Sequence, residues 1–144
     1  MAVTSYQERM ELPSPGYSPL TAGYFEHAKA GHVAVQRCLD CGSDRAPSYA
    51  CYNCGSLKWE WHDVAGTGVV YSYTWADQRA VMDSPIYNVT VIELDDTVGE
   101  PVRLMGYVVD VERDDLVVGL RVEPTFGEFD DELAVPMWRP AGRA

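Results

Sequence analysis

The chain has 144 residues, of which 47% are hydrophobic and 23% charged, values of an ordinary folded domain and far from the disordered or membrane classes. No apolar run approaches the roughly 18 to 20 residues that a membrane-spanning helix needs. Eleven basic against 22 acidic residues give a formal charge of −11, split as 5 basic and 7 acidic before Val64 and 6 and 15 after it, so neither half offers the cationic face that nucleic acid requires.

The N-terminus has no basic segment followed by an apolar one and instead mixes Glu8, Arg9 and Glu11. This argues against a secretory signal and for a cytoplasmic chain with reduced thiols. Residues 1–19 carry Pro13, Pro15, Gly16 and Pro19, which break regular structure and predict an extended arm. The arm is either a frayed tail or a segment lying on a partner through Tyr6, Met10, Leu12 and Tyr17.

From Thr21 to Ala30 a short helix is expected: Thr21 can cap it, Leu20, Tyr24 and Ala28 share a face, and Gly31 can end it. Val33 to Arg37 then alternates like a strand and runs into Cys38-Leu39-Asp40-Cys41-Gly42-Ser43. The pattern recurs as Cys51-Tyr52-Asn53-Cys54-Gly55-Ser56. Two cysteines separated by two residues can turn both sulfurs toward one ion, and the following glycine can take the positive φ the turn requires. Four thiolates in a reducing compartment predict a structural Zn²⁺ ribbon; iron in the same cage is the chemical alternative, and a redox dithiol would need a helix start that neither pair has. With every coordination position filled by protein sulfur, the ion has no catalytic opening.

Leu57, Trp59 and Trp61 alternate on a strand that leaves the ribbon, and Val64-Ala65-Gly66 marks the expected boundary. Beyond it, five strands are expected over Val69–Ala76, Ile86–Leu94, Val102–Val111, Leu120–Phe126 and Leu133–Trp138, separated by Gly-, Pro- and Asp-rich turns. Five short strands in so few residues predict a small closed barrel of the OB type, with Gly106 providing a bulge or bend. The fold class is therefore mainly β, divided into an arm (1–19), a helix and zinc ribbon (20–64) and an OB-fold domain (65–144).

Tyr24-Phe25-Glu26-His27-Ala28, the double CxxC with Pro47 between, Gly66-Thr67-Gly68-Val69-Val70-Tyr71-Ser72-Tyr73-Thr74 and Pro136-Met137-Trp138-Arg139-Pro140 occur here in one order. In this the chain resembles the DUF35 proteins, in which a rubredoxin-like zinc ribbon precedes an acyl-CoA-associated OB fold. The resemblance implies a hetero-oligomer with a thiolase-fold partner acting on CoA thioesters. Foremost is a lipid-transfer-protein-like aldolase that shortens steroid side chains; the alternatives are an acetoacetyl-CoA thiolase, a hydroxymethylglutaryl-CoA synthase or an acyltransferase, or a chain that binds acyl-CoA alone.

The residues agree that the chain is poorly equipped for catalysis, and no catalytic residue is assigned to it. Its four cysteines are committed to metal, Lys29 on the helix's polar side and Lys58 in the ribbon are expected to face water, and His27 on the helix's polar face, His32 after Gly31 and His62 near the ribbon's exit are poorly placed for catalysis. Tyr71, Tyr73 and Trp75 are expected on one strand face, filling the barrel or meeting a partner or acyl chain. Arg79 in the following loop is either an exposed arginine or a contact for a CoA phosphate or partner carboxylate.

Overall fold

The computed structural model describes residues 18–81, 85–128 and 134–142. The expected arm with Tyr6, Met10, Leu12 and Tyr17, the turn at Asp83-Ser84, and Leu133 at the start of the last strand lie outside them.

A helix, α1 (Ala22–Lys29), precedes a three-stranded antiparallel sheet of β1 (Val33–Cys38), β2 (Asp44–Arg45) and β3 (Trp59–Val64), in the order β2-β1-β3. Gly31 ends the helix at φ 86°, as expected. Thr21 does not cap it: the residue has helical-region φ and ψ, and its hydroxyl sits 3.0 Å from Ser18 Oγ instead. Gly23 is required where α1 crosses the ribbon, because a Cβ there would lie 2.1 Å from Trp61 Nε1. Trp59 and Trp61 share a face, their rings edge to face at 5.0 Å, while Leu57 precedes the strand and is exposed.

The second sheet contains β4 (Gly68–Ala76), β5 (Tyr87–Leu94), β6 (Arg103–Gly106), β7 (Arg121–Glu128) and β8 (Ala134–Pro140), in the order β6-β5-β4-β7-β8. Its ends meet through a parallel bridge between Val108 and Trp138, supported by the Val109 N–H donating to Trp138 O and the Trp138 N–H to Tyr107 O. A three-strand meander, a fourth strand back on the first, and a fifth closing in parallel on the third is the OB arrangement. A 3-10 turn at Arg113–Asp115, rather than a helix, lies in the connection between β6 and β7.

Two strand features depart from the expectation. The third strand stops at Gly106 instead of Val111. The glycine is not a bulge: its pairing with Thr90 is regular, and a Cβ there would lie 2.6 Å from Trp138 Cζ3, so the residue lets the chain cross the indole. The bulge is in β4, between Val70 and Ser72. It reverses the alternation, so that Val70 opposite Ile92 and Trp75 opposite Asn88 both face inward although five residues apart.

Ribbon and barrel share one core, in which Val33 and Val35 of β1 pack with Val70, Ile92, Leu104, Leu116, Val122 and Trp138. Trp138 is fully buried, and its Nε1–H donates to Gly66 O at 2.9 Å across the junction. No helix among the described residues is long and apolar enough to cross a membrane.

Candidate metal centre

The two CxxCGS units fold into the same backbone device. Cys38 N–H donates to Ser43 O at 2.9 Å and Gly42 N–H to Cys38 O at 3.0 Å; in the second unit Cys51 N–H donates to Ser56 O and Gly55 N–H to Cys51 O, both at 2.9 Å. Gly42 and Gly55 have φ of 79° and 76°, with nothing within 4 Å of an added Cβ, so conformation rather than space demands glycine. The first knuckle grows from the end of β1. The second, in the β2–β3 connection, is brought to it because Cys38 pairs with Trp59 as the chain re-enters the sheet.

The structure thereby gathers all four cysteines, with their sulfurs within 4.8 Å of one another. Cys38 Sγ lies 3.6 Å from Cys54 Sγ, and Cys41 Sγ 3.6 Å from Cys51 Sγ. Those separations are far longer than a disulfide bond. A tetrahedral ion with metal–sulfur bonds near 2.3 Å sets its ligands about 3.8 Å apart, so the donor set fits such an ion. Cys38 and Cys51 are buried, Cys41 and Cys54 exposed, placing the cluster at the skin of the ribbon.

The knuckles match in backbone but not in side chains. Ser43 Oγ lies 3.0 Å from Cys41 Sγ and 3.4 Å from Cys51 Sγ, joining the two units, whereas its counterpart Ser56 donates to Asp40 Oδ2 at 2.5 Å. The Ser43 hydroxyl, helped by the Asn53 side chain, draws the Cys41 thiol down to about 7. Ser43 with the backbone N–H groups of Cys54 and Asn53 draws Cys51 down to about 5. Cys54 moves up to about 12: the Ser56 backbone bond pulls it down, but desolvation and the three neighbouring sulfurs outweigh that. Crowded thiolates repel one another, and a shared cation relieves the conflict.

The other candidate residues do not converge on one site. Tyr71 is exposed beneath the Arg103 guanidinium, 3.9 Å from ring centroid to Cζ; Tyr73 is exposed; Trp75 is half-buried against the core with Arg113 5.9 Å from its ring. The bulge separates Tyr71 from Tyr73 and Trp75, which stay on one face opposite Thr90 and Asn88, and the exposure of Tyr71 and Tyr73 overturns the barrel-filling reading for those two. Arg79 is exposed and forked onto Asp77 at 2.8 and 2.7 Å, an ion pair that holds the Asp77 carboxyl down to about 2.

Sequence reasoning missed the polar contacts that seat the ribbon. Asp44 accepts both Arg37 Nε at 2.9 Å and Arg37 Nη2 at 3.1 Å, and its Oδ2 also takes the Val98 N–H of the barrel at 2.9 Å. His27 Nδ1 meets Asp63 Oδ1 at 2.5 Å, clasping α1 to β3. A two-residue strand such as β2 leaves no periodic signal from which these partners could be read.

A barrel of OB topology carrying a four-thiolate ribbon on the same core defines a two-part β-protein class, and the comparisons place the chain within it. The ChsH2 C-terminal OB-fold domain family matches residues 61–127. A solved chain described as the Ltp2-ChsH2(DUF35) aldolase is 34% identical, with a TM-score of 0.72 over 88% of this chain and 98% of that one. The chain belongs to the DUF35 family. A DUF35 protein of unknown function from Sulfolobus solfataricus, 19% identical, shares the fold with a TM-score of 0.57 over 85% of this chain and 86% of that one. A curated relative from Thermomonospora curvata, named a probable enoyl-CoA hydratase alpha subunit, is 36% identical over 141 residues, and the chain spans 43% of its length.

Proposed function

We propose that this chain is the non-catalytic, zinc-binding subunit of an acyl-CoA aldolase complex. In this reading a thiolase-fold, lipid-transfer-protein-like partner breaks the C–C bond of a CoA thioester with a steroid side chain. The reading keeps the three-part division into arm (1–19), helix and ribbon (20–64) and OB-fold domain (65–144), and a cytoplasmic site of action. The observation that carries it is the near-complete overlap with the DUF35 chain of the Ltp2-ChsH2 aldolase at 34% identity.

The chemistry of the residues supports that division of labour. A nucleophilic thiol is not on offer, since all four sulfurs lie in one cluster. His27 is engaged by Asp63, His62 Nδ1 lies 3.3 Å from Arg37 Nη1, and Lys29 lies 3.6 Å from Glu128, contacts that fit structural roles. Zinc held by Cys38, Cys41, Cys51 and Cys54 would supply a cross-link and no open position for substrate. The residues of this chain then shape and brace the partner, with the exposed Tyr71 and Tyr73, the half-buried Trp75 and Arg79 in the loop after β4 as the proposed contact with partner or acyl-CoA.

Co-expression with a thiolase-fold protein tests the proposal. The expected outcome is one co-eluting complex that cleaves a β-hydroxyacyl-CoA, with neither chain active alone; separate elution and full activity of the partner by itself would refute it. A second reading, an accessory subunit of an enoyl-CoA hydratase, is favoured by the Thermomonospora curvata relative. Formation of a hydratase complex without retro-aldol cleavage would select it.

A further inference from the structure

Arg45 is the one buried arginine among the described residues and the one without a partner for its charge. It is 3% exposed, yet neither Nη1 nor Nη2 has a hydrogen-bond partner. Every other described arginine is engaged: Arg37, Arg79, Arg103, Arg121 and Arg139 each hold a carboxylate, and Arg113 lies over Trp75. The adjacent carboxylate, Asp44, is engaged elsewhere: Arg37 takes both its oxygens and the Val98 N–H shares one of them.

The guanidinium is nonetheless held in a built setting. Its Nε donates to Gln36 Oε1 at 3.0 Å. The fully buried Gln36 also accepts the Ser48 N–H at 3.1 Å and donates to Leu20 O at 3.3 Å. One edge of the fork is therefore fixed and the other, with four N–H groups, is left unused. An unpaired buried charge is strongly unfavourable, and what satisfies the open edge of an arginine fork is a pair of anionic oxygens.

Arg45 lines a cavity of about 470 Å³ between the second knuckle and the β5–β6 turn, with Asp44, Cys51, Tyr52, Asn53, Gly99 and Glu100 around it; the Asp44 charge is already answered by Arg37. We propose that this cavity is an oxyanion site: the phosphate or carboxylate group of a small ligand enters between the knuckle and the turn and takes the free edge of Arg45. Tyr52 and Asn53, both exposed, are the residues that give way as it enters. The site is separate from Arg79, whose fork is already filled by Asp77. It stands whether or not the chain serves an aldolase.

The test is a titration of the full metal-loaded chain with inorganic phosphate and, separately, with glutarate, at constant ionic strength set with chloride. Arg45 Nε–Hε is followed by NMR and the thermal midpoint is recorded. A saturable Arg45 response is expected with at least one probe. Response to phosphate alone points to a phosphate ester, and response to glutarate alone to a carboxylate. Arg45→Lys, which keeps charge without the fork, should weaken binding at least tenfold, and Arg45→Gln should abolish it. The NMR readout in the unaltered chain decides the matter even if a variant fails to fold. No response to either probe overturns the proposal, as does binding that persists undiminished in Arg45→Gln. An Arg45 resonance that ignores both anions but moves on metal removal would assign the guanidinium to the thiolate cluster and overturn it equally.

Discussion

The ribbon and the barrel solve the same problem with opposite means. The barrel encloses Val70, Ile92, Leu104, Val122 and Trp138, each no more than 5% exposed, and closes its sheet on itself. The outer ribbon buries little: Leu39, Tyr52 and Leu57 around the knuckles are more than half exposed, and what gathers there is four sulfurs. A segment of some 20 residues has too little apolar surface to offset its chain entropy, so its shape must come from a cross-link. Burial is graded and tolerates substitution in steps, whereas coordination is nearly all or none.

The largest expected effect breaks the ribbon alone. Structural zinc sites carry about 10–16 kcal/mol of binding free energy at neutral pH. If the proposed zinc is bound, Cys54→Ser should therefore lower metal content to a small fraction of that of the unaltered chain and erase the near-ultraviolet circular dichroism of the Trp59–Trp61 pair, leaving barrel strands intact. Retained zinc with unchanged dichroism would show that the fourth sulfur is dispensable. Next comes the barrel: Trp138→Ala removes the largest buried side chain and its bond to Gly66 O, and should cost about 3–5 kcal/mol in urea unfolding. Because β1 shares that core, its effect should reach the ribbon's base while zinc stays bound.

A smaller effect sharpens the same comparison. Gly106→Ala puts a methyl group into the Trp138 ring and should cost about 1–3 kcal/mol, while Gly42→Ala, strained only in backbone, should act on metal affinity more than on barrel stability. The smallest concerns charge. Arg121 holds Asp95 below the usual carboxylate range, so this pair stabilises the fold above the ordinary carboxylate pKa of about 3.9 and loses that contribution as pH falls through the depressed value. With the pair partly exposed, Asp95→Asn should cost less than about 1 kcal/mol at pH 7 and less still near pH 3, in parallel unfolding titrations.

The legibility of the sequence follows the same divide. The gathering of the four cysteines was readable because a CxxCGS unit is local and repeated, each residue acting through its own turn. Strands of the barrel were readable from period-two alternation, and their approximate limits hold for β4, β5, β7 and β8. Features set by remote neighbours were not. The bulge at Tyr71 depends on how β4 serves both β5 and β7, Gly106 on an indole 32 residues away, and the Arg37–Asp44–Val98 link on a two-residue strand. Ser43 stood within the repeat, but its bridge to Cys41 and Cys51 exists only once the two knuckles meet.

The central claim is that coordination holds the ribbon while burial holds the barrel, and amide hydrogen exchange with and without a chelator tests it most directly. Chelation should abolish protection at the knuckle N–H groups of Cys38, Gly42, Cys51 and Gly55 while leaving β5 amides slow. Equal protection of the knuckles in the metal-free chain would contradict the account.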